Sequence, residues 1–196
     1  ADKYSPAARQ IIHICFIKIV FVQFCRKVNG KMDKHLFLLG FMGAGKTYLG
    51  QQLAEQQGLP FYDLDQMIEN QWGKSISDLF EQTGEAAFRQ LEADALRRLV
   101  LLPVGIVAVG GGTPCFSDNM AWMNAQGLTV YLKMPVSVLF ARLKPETAQR
   151  PLLKGRVGDA LETFVHQLLA TRSVYYEQAA LIVSGDNSLE QILFKL

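Results

Sequence analysis

The chain carries 196 residues, 49% of them apolar and 19% charged, with a net charge of +2 and three cysteines. This length suits one domain with a substantial core. So small a charge, without a long Lys/Arg block or an aromatic-basic patch, excludes a nucleic-acid footprint.

The cysteines Cys15, Cys25 and Cys115 show no metal-ligand spacing, and their odd number without a framework points to a reducing, cytoplasmic setting. Residues 11–24 are strongly apolar but are broken by His13, Lys18 and Gln23. The run falls short of the ~20 apolar residues of a membrane-spanning helix and lacks the small-residue cleavage site of a signal peptide. No membrane partner is therefore expected. The chain does not open on Met, whereas Met32 directly precedes the first convincing strand. The expectation is an N-terminal extension of unknown role over 1–31 and a working domain over 32–196.

Leu36-Phe37-Leu38-Leu39 reads as a buried parallel strand. Gly40-Phe41-Met42-Gly43-Ala44-Gly45-Lys46-Thr47 follows at once and fits G-x-x-x-x-G-K-[ST], the phosphate-binding loop of nucleotide triphosphatases and kinases. A helical pattern comes next, with Leu49, Leu53 and Ala54 on one side, and Gly58-Leu59-Pro60 ends it. Phe61-Tyr62 leads a short strand into Asp63-Leu64-Asp65. A helix and a loop around Trp72-Gly73-Lys74 follow, and Ser75-Ile76-Ser77-Asp78 resembles a capping box opening another helix. Over 84–101, Phe88, Leu91, Ala95 and Leu99 recur at helical spacing. Ile106-Val107-Ala108-Val109 is a buried strand running into Gly110-Gly111-Gly112, and Thr129-Val130-Tyr131-Leu132 is the next strand. Pro135 opens a helix carrying Val138, Leu139 and Leu143. Residues 144–158 are polar and rich in Pro and Gly, as in a mobile flap. Residues 159–178 return to helical periodicity, Leu181-Ile182-Val183 is a last strand, and Ser188 caps a final helix.

Strands alternating with helices imply a parallel sheet covered on both faces, with ligands beyond the carboxyl ends of its strands. The loop at Gly40, the carboxylates at Asp63 and the glycines at Gly110 all fall at such ends and should line one crevice. In the loop, backbone N–H groups and a helix N-terminus receive phosphate oxygens. Lys46 reaches toward the β- and γ-phosphates, and the Thr47 hydroxyl toward Mg²⁺. Asp63 and Asp65, if extended, point the same way, one toward Mg²⁺ and the other toward an acceptor hydroxyl; a solvated turn capping the next helix is the plainer alternative. The glycine triplet suggests a substrate approaching bare backbone. Arg89, with Glu85 and Glu92 at helical spacing, reads equally as a surface ion pair worth ~0.3–0.5 kcal/mol. Arg172 and Arg150 read equally as solvated residues.

Taken together, the motifs over 32–196 resemble shikimate kinase, in the nucleoside-monophosphate-kinase-like branch of P-loop proteins. The resemblance rests on residues 40–47, Asp63-Leu64-Asp65, Gly84-Glu85-Ala86-Ala87-Phe88-Arg89 with Glu92, Gly110-Gly111-Gly112, Arg150-Pro151-Leu152-Leu153, and Arg172 followed by Tyr175-Tyr176-Glu177. It implies a three-layer α/β fold with a five-stranded parallel sheet, a helical substrate-binding region over about 66–92 and a lid over about 145–158. It also implies a monomeric enzyme that uses ATP and Mg²⁺ to phosphorylate the 3-hydroxyl of shikimate. Carried over by position, Lys46, Asp65 and Arg150 are catalytic, and Gly43, Ala44, Gly45, Lys46, Thr47, Tyr48 and Arg150 meet ATP. Asp65, Arg89, Gly110, Gly111, Gly112 and Arg172 meet shikimate, while Thr47 and Asp63 face the metal. Tyr48 departs from the small hydroxyl residue usual after the Lys-Thr pair, and Ser184-Gly185-Asp186-Asn187 lacks the arginine that some relatives place near adenine. Two rival readings stay open: a gluconate or nucleotide kinase of similar fold, and a nucleotide-binding domain without catalysis.

Overall fold

The structure, a computed structural model, describes residues 32–147, 151–153 and 155–184. The expected N-terminal extension, Arg150 and the expected helix at Ser188 lie outside the described residues.

Strand β1 (His35–Leu39) is buried along its whole length. Neighbouring strand residues point to opposite faces, so Phe37, Leu38 and Leu39 at 0% exposure require cover on both sides of the sheet. β1 lies at the centre of five strands ordered β2-β3-β1-β4-β5, with β2 (Phe61–Asp63), β3 (Ile106–Ala108), β4 (Gly127–Lys133) and β5 (Leu181–Ser184). Every pairing is parallel. Helices make the crossovers that parallel strands need: α1 (Lys46–Gln57), α2 (Leu64–Trp72), α3 (Ile76–Arg98), α4 (Asn119–Gln126), α5 (Val136–Leu143) and α6 (Gly158–Tyr176). Among the described residues no helix is long and apolar enough to cross a membrane.

The expected elements are present with two differences. First, the patterns around 76–83 and 84–101 form one element, α3. Its Ser75 cap accepts the Asp78 N–H at 3.1 Å and donates its hydroxyl to Asp78 Oδ2 at 2.7 Å. Gly84 (φ 77°, ψ 168°) kinks it without ending it. Second, the sequence pattern assigns nothing between Gly112 and Thr129, yet a 3-10 turn at Thr113–Cys115 and helix α4 stand there. The buried residues of α4 are Asn119, Met120 and Met123, too few and too mixed to display a helical stripe. In the expected lid, Leu153 is fully buried, so that limb is tied to the core.

Candidate active site

The phosphate loop leaves the end of β1 as its motif requires. Gly43 (φ 78°) and Gly45 (φ 92°) occupy the left-handed region that side chains disfavour, and Gly45 is the residue at which α1 starts. Lys46 Nζ donates back across the loop to the Gly40 and Phe41 carbonyls at 3.0 Å each. Its ammonium is thereby held at the mouth of a ring of backbone N–H groups, where phosphate oxygens bind. Tyr48 is exposed at 48%, so its bulk lies outside the loop. An unanticipated cation joins from α5: Arg142 Nη1 donates to the Gly43 carbonyl at 2.8 Å, across 99 residues of sequence.

The two aspartates of β2 take different paths. Both readings of Asp63, as cap and as site residue, hold at once. Its Oδ1 accepts the N–H groups of Asp65 (3.1 Å) and Gln66 (3.4 Å), capping α2, while Oδ2 accepts the Thr47 hydroxyl at 2.7 Å. The extended geometry expected for the pair is corrected, because Asp65 already sits in the first turn of α2. Asp65 retains partial surface exposure but lies in a densely walled recess. Its carboxyl pKa is raised to about 6 by burial first, then by Glu92 and Asp63, with Lys46 opposing.

Arg89 is 8% exposed, so the surface ion-pair reading fails even though the ion pairs exist. Nη1 meets Glu92 Oε2 at 2.9 Å and Nη2 meets Glu85 Oε1 at 3.2 Å. The Phe116 ring lies 4.3 Å from its guanidinium carbon. Arg172 is also buried, at 6% exposure, and its guanidinium lies beside the Tyr176 hydroxyl, which donates to the Gly111 carbonyl. Both arginines lower the Cys115 thiol pKa, although burial prevails and raises it to about 11.

The glycine triplet joins these groups. A Cβ built on Gly110 would stand 2.7 Å from Glu92 Oε1 and 2.9 Å from Asp65 Oδ1. One on Gly112 would stand 2.7 Å from Arg89 Nη1. One on Gly111 would stand 3.5 Å from Arg172 Nη1 and 3.2 Å from the Met42 N–H nitrogen in the phosphate loop. Three bare backbone positions therefore border Asp65, Arg89, Arg172 and the phosphate loop. Sequence reasoning left Glu92, Thr113, Asn119, Arg142 and Tyr176 without roles. A signal for Glu92 existed: Arg89, Glu92, Leu96 and Leu99 share one helical stripe, whose leucines are fully buried.

A parallel sheet with a phosphate loop on its central strand, and an acidic, arginine-lined recess beside that loop, defines a P-loop kinase. The sequence model of the family described as Shikimate kinase matches residues 42–195. A shikimate kinase of Parabacteroides distasonis is 42% identical over 81% of this chain and 91% of its own length. The crystal structure of shikimate kinase from Bacteroides thetaiotaomicron superposes with a TM-score of 0.74 at 40% identity, covering 83% of this chain and 99% of that one. Shikimate kinase from Acinetobacter baumannii, solved in complex with shikimate, gives 0.72 at 32% identity over 83% and 89% of the two chains. The chain belongs to the shikimate kinase family.

Proposed function

We infer that this chain transfers the γ-phosphoryl group of ATP to the 3-hydroxyl of shikimate, a step of aromatic amino-acid biosynthesis. The observation that carries the reading is the glycine triplet, with a carboxylate and two buried arginines on one side and the phosphate loop on the other. Arginine forks match a carboxylate in bidentate geometry, and Arg89 and Arg172 supply them for the substrate's carboxylate. Asp65 receives the 3-hydroxyl and takes its proton. A pKa near 6 leaves it ionised at neutral pH yet basic enough for that role. Lys46 and the loop N–H groups hold the phosphates in line with the hydroxyl. Because the transition state is loose, positioning and charge neutralisation carry most of the rate. Arg142 adds positive charge at the outer wall of the loop. Arg150 is assigned to the lid, reaching the phosphates on closure and helping to exclude water.

Thr47 Oγ1 and Asp63 Oδ2, 2.7 Å apart beside Lys46, form a hard-oxygen pair of the kind Mg²⁺ accepts together with phosphates and water. When bound there, Mg²⁺ neutralises charge on the β- and γ-phosphate oxygens. The enzyme works as a cytoplasmic monomer, since every group named here comes from one chain.

The test is ADP release with shikimate, gluconate and a nucleoside monophosphate as acceptors. Turnover with shikimate alone is expected. Turnover of either other acceptor without shikimate, or nucleotide binding without acceptor-dependent ADP release, would overturn the assignment.

A further inference from the structure

The face of α3 that carries Arg89 is tied to the loop beyond the glycine triplet at two separate places. Near Arg89, Thr113 Oγ1 donates to Glu92 Oε1 at 2.5 Å, while Glu92 Oε2 accepts Arg89 Nη1 at 2.9 Å. Two turns further along α3, Arg97 Nη1 donates to Asn119 Oδ1 at 3.0 Å, and Asn119 Nδ2 donates to the Thr113 carbonyl at 2.9 Å. Arg97 also pairs with Asp118 and lies over the Trp122 ring at 4.7 Å, which fixes it in place.

Asn119 is fully buried, where an apolar residue would avoid the cost of removing an amide from water. Its carboxamide orientation is unambiguous, because a guanidinium only donates and a carbonyl only accepts. Between the two ties, Phe116 lies against the Arg89 guanidinium and Gly112 offers bare backbone to it. The position of the turn at Thr113 and the position of the Arg89 fork are therefore one variable.

We propose that Asn119 is a positioning residue for the acceptor's carboxylate, acting through Thr113 and Glu92 on Arg89. The proposal rests on the kinase reading above. Without the Asn119 amide, the Thr113 carbonyl loses its buried partner and the turn loses one of its ties. Arg89 then meets the substrate with a misaligned fork, an error that acts on acceptor affinity and leaves the phosphate loop alone.

Steady-state kinetics of Asn119→Asp tests this. Aspartate keeps the shape and the Arg97 contact but sets a carboxylate oxygen against the Thr113 carbonyl. The expected result is a shikimate KM raised about tenfold, with kcat and the ATP KM within about twofold. An unchanged shikimate KM, or an equal rise in both KM values, would overturn the proposal. If the variant does not fold, Thr113→Val removes the next link and is read by the same criteria. In an Arg89→Ala background Asn119→Asp should add less than about twofold, because its route of action is gone; a full effect there is also contrary to the proposal. Absence of shikimate turnover in the unmodified chain would overturn the function itself, so the two failures are distinguishable.

Discussion

Phosphate recognition in this chain relies on contiguous backbone, whereas acceptor recognition relies on buried side chains drawn from α2, α3, the glycine triplet and α6. The loop after β1 needs glycines at the right torsions and a helix start, and both come from one short segment. The acceptor recess instead crowds Asp65, Asp63 and Glu92 together and offsets them with Lys46 and Arg89. A site of the first kind is stable on its own. A site of the second kind holds unfavourable electrostatics in place, and its parts fail together.

The largest expected effect tests the backbone side. Lys46→Ala should lower kcat by more than about a thousandfold, a loss comparable with removing a transition-state cation in phosphoryl transfer. The melting temperature should barely move, since the replaced contacts are two hydrogen bonds to loop carbonyls. A kcat within tenfold of the parent would mean that backbone alone neutralises the phosphates.

Asp65→Asn comes next and tests whether the acceptor side stores strain. It should cut kcat by about 10²–10³-fold with little change in the ATP KM. In the unmodified enzyme kcat/KM should fall about tenfold per pH unit below 6, as Asp65 takes up its proton. The linkage to stability runs the same way. The group binds its proton at about pH 6 when folded, against an ordinary value of 3.8, so its contribution is fully present below the lower value and lost as pH rises through the upper one. At pH 7 the ionised Asp65 therefore opposes folding, by less than about 3 kcal/mol given that solvent reaches it. Asp65→Asn should melt at higher temperature than the parent at pH 7, with the gap closing near pH 4. A lower melting temperature would show that the recess holds no such strain.

Gly112→Ala separates the two sides more finely. Gly112 has φ −91° and ψ −25°, which alanine adopts freely, so the only consequence is a methyl 2.7–2.9 Å from the Arg89 guanidinium. The shikimate KM should rise about 10–100-fold, as expected for a displacement near 1 Å, with the ATP KM unchanged. Parallel rises in both constants would mean that the glycine turn serves the phosphate loop as well.

The same contrast explains what was legible in the sequence. The phosphate loop, its strand and its helix could be read because local torsion and hydrophobic pattern determine them together. The alternating order of strands and helices gave the parallel sheet for the same reason. Asp65 was found as a residue but misplaced in geometry, since the point where β2 turns into α2 depends on the Asp63 cap accepting two N–H groups. Arg89 could not be told from a surface residue by spacing to Glu85 and Glu92, because burial depends on the turn at Thr113 packing over it. Asn119 and Arg142 were invisible: their partners lie across loops or 99 residues away, and a single Asn or Arg carries no periodicity.

The smallest expected effect checks that Arg89 is oriented from its buried side. Its exposed partner Glu85 has a side chain 52% exposed, while that of Glu92 is 2% exposed. A solvated pair is worth at most about 0.5 kcal/mol in a helix, so Glu85→Gln should change the shikimate KM by no more than about twofold, and added salt should mask even that. Glu92 cannot be lost so cheaply, because breaking a buried pair leaves a desolvated charge and costs about 3–5 kcal/mol. Shikimate KM and melting temperature measured side by side for Glu85→Gln and Glu92→Gln decide the matter. A tenfold loss from the Glu85 change alone would place control of the fork at the solvent edge, and the acceptor recess would then be no more internally determined than the phosphate loop.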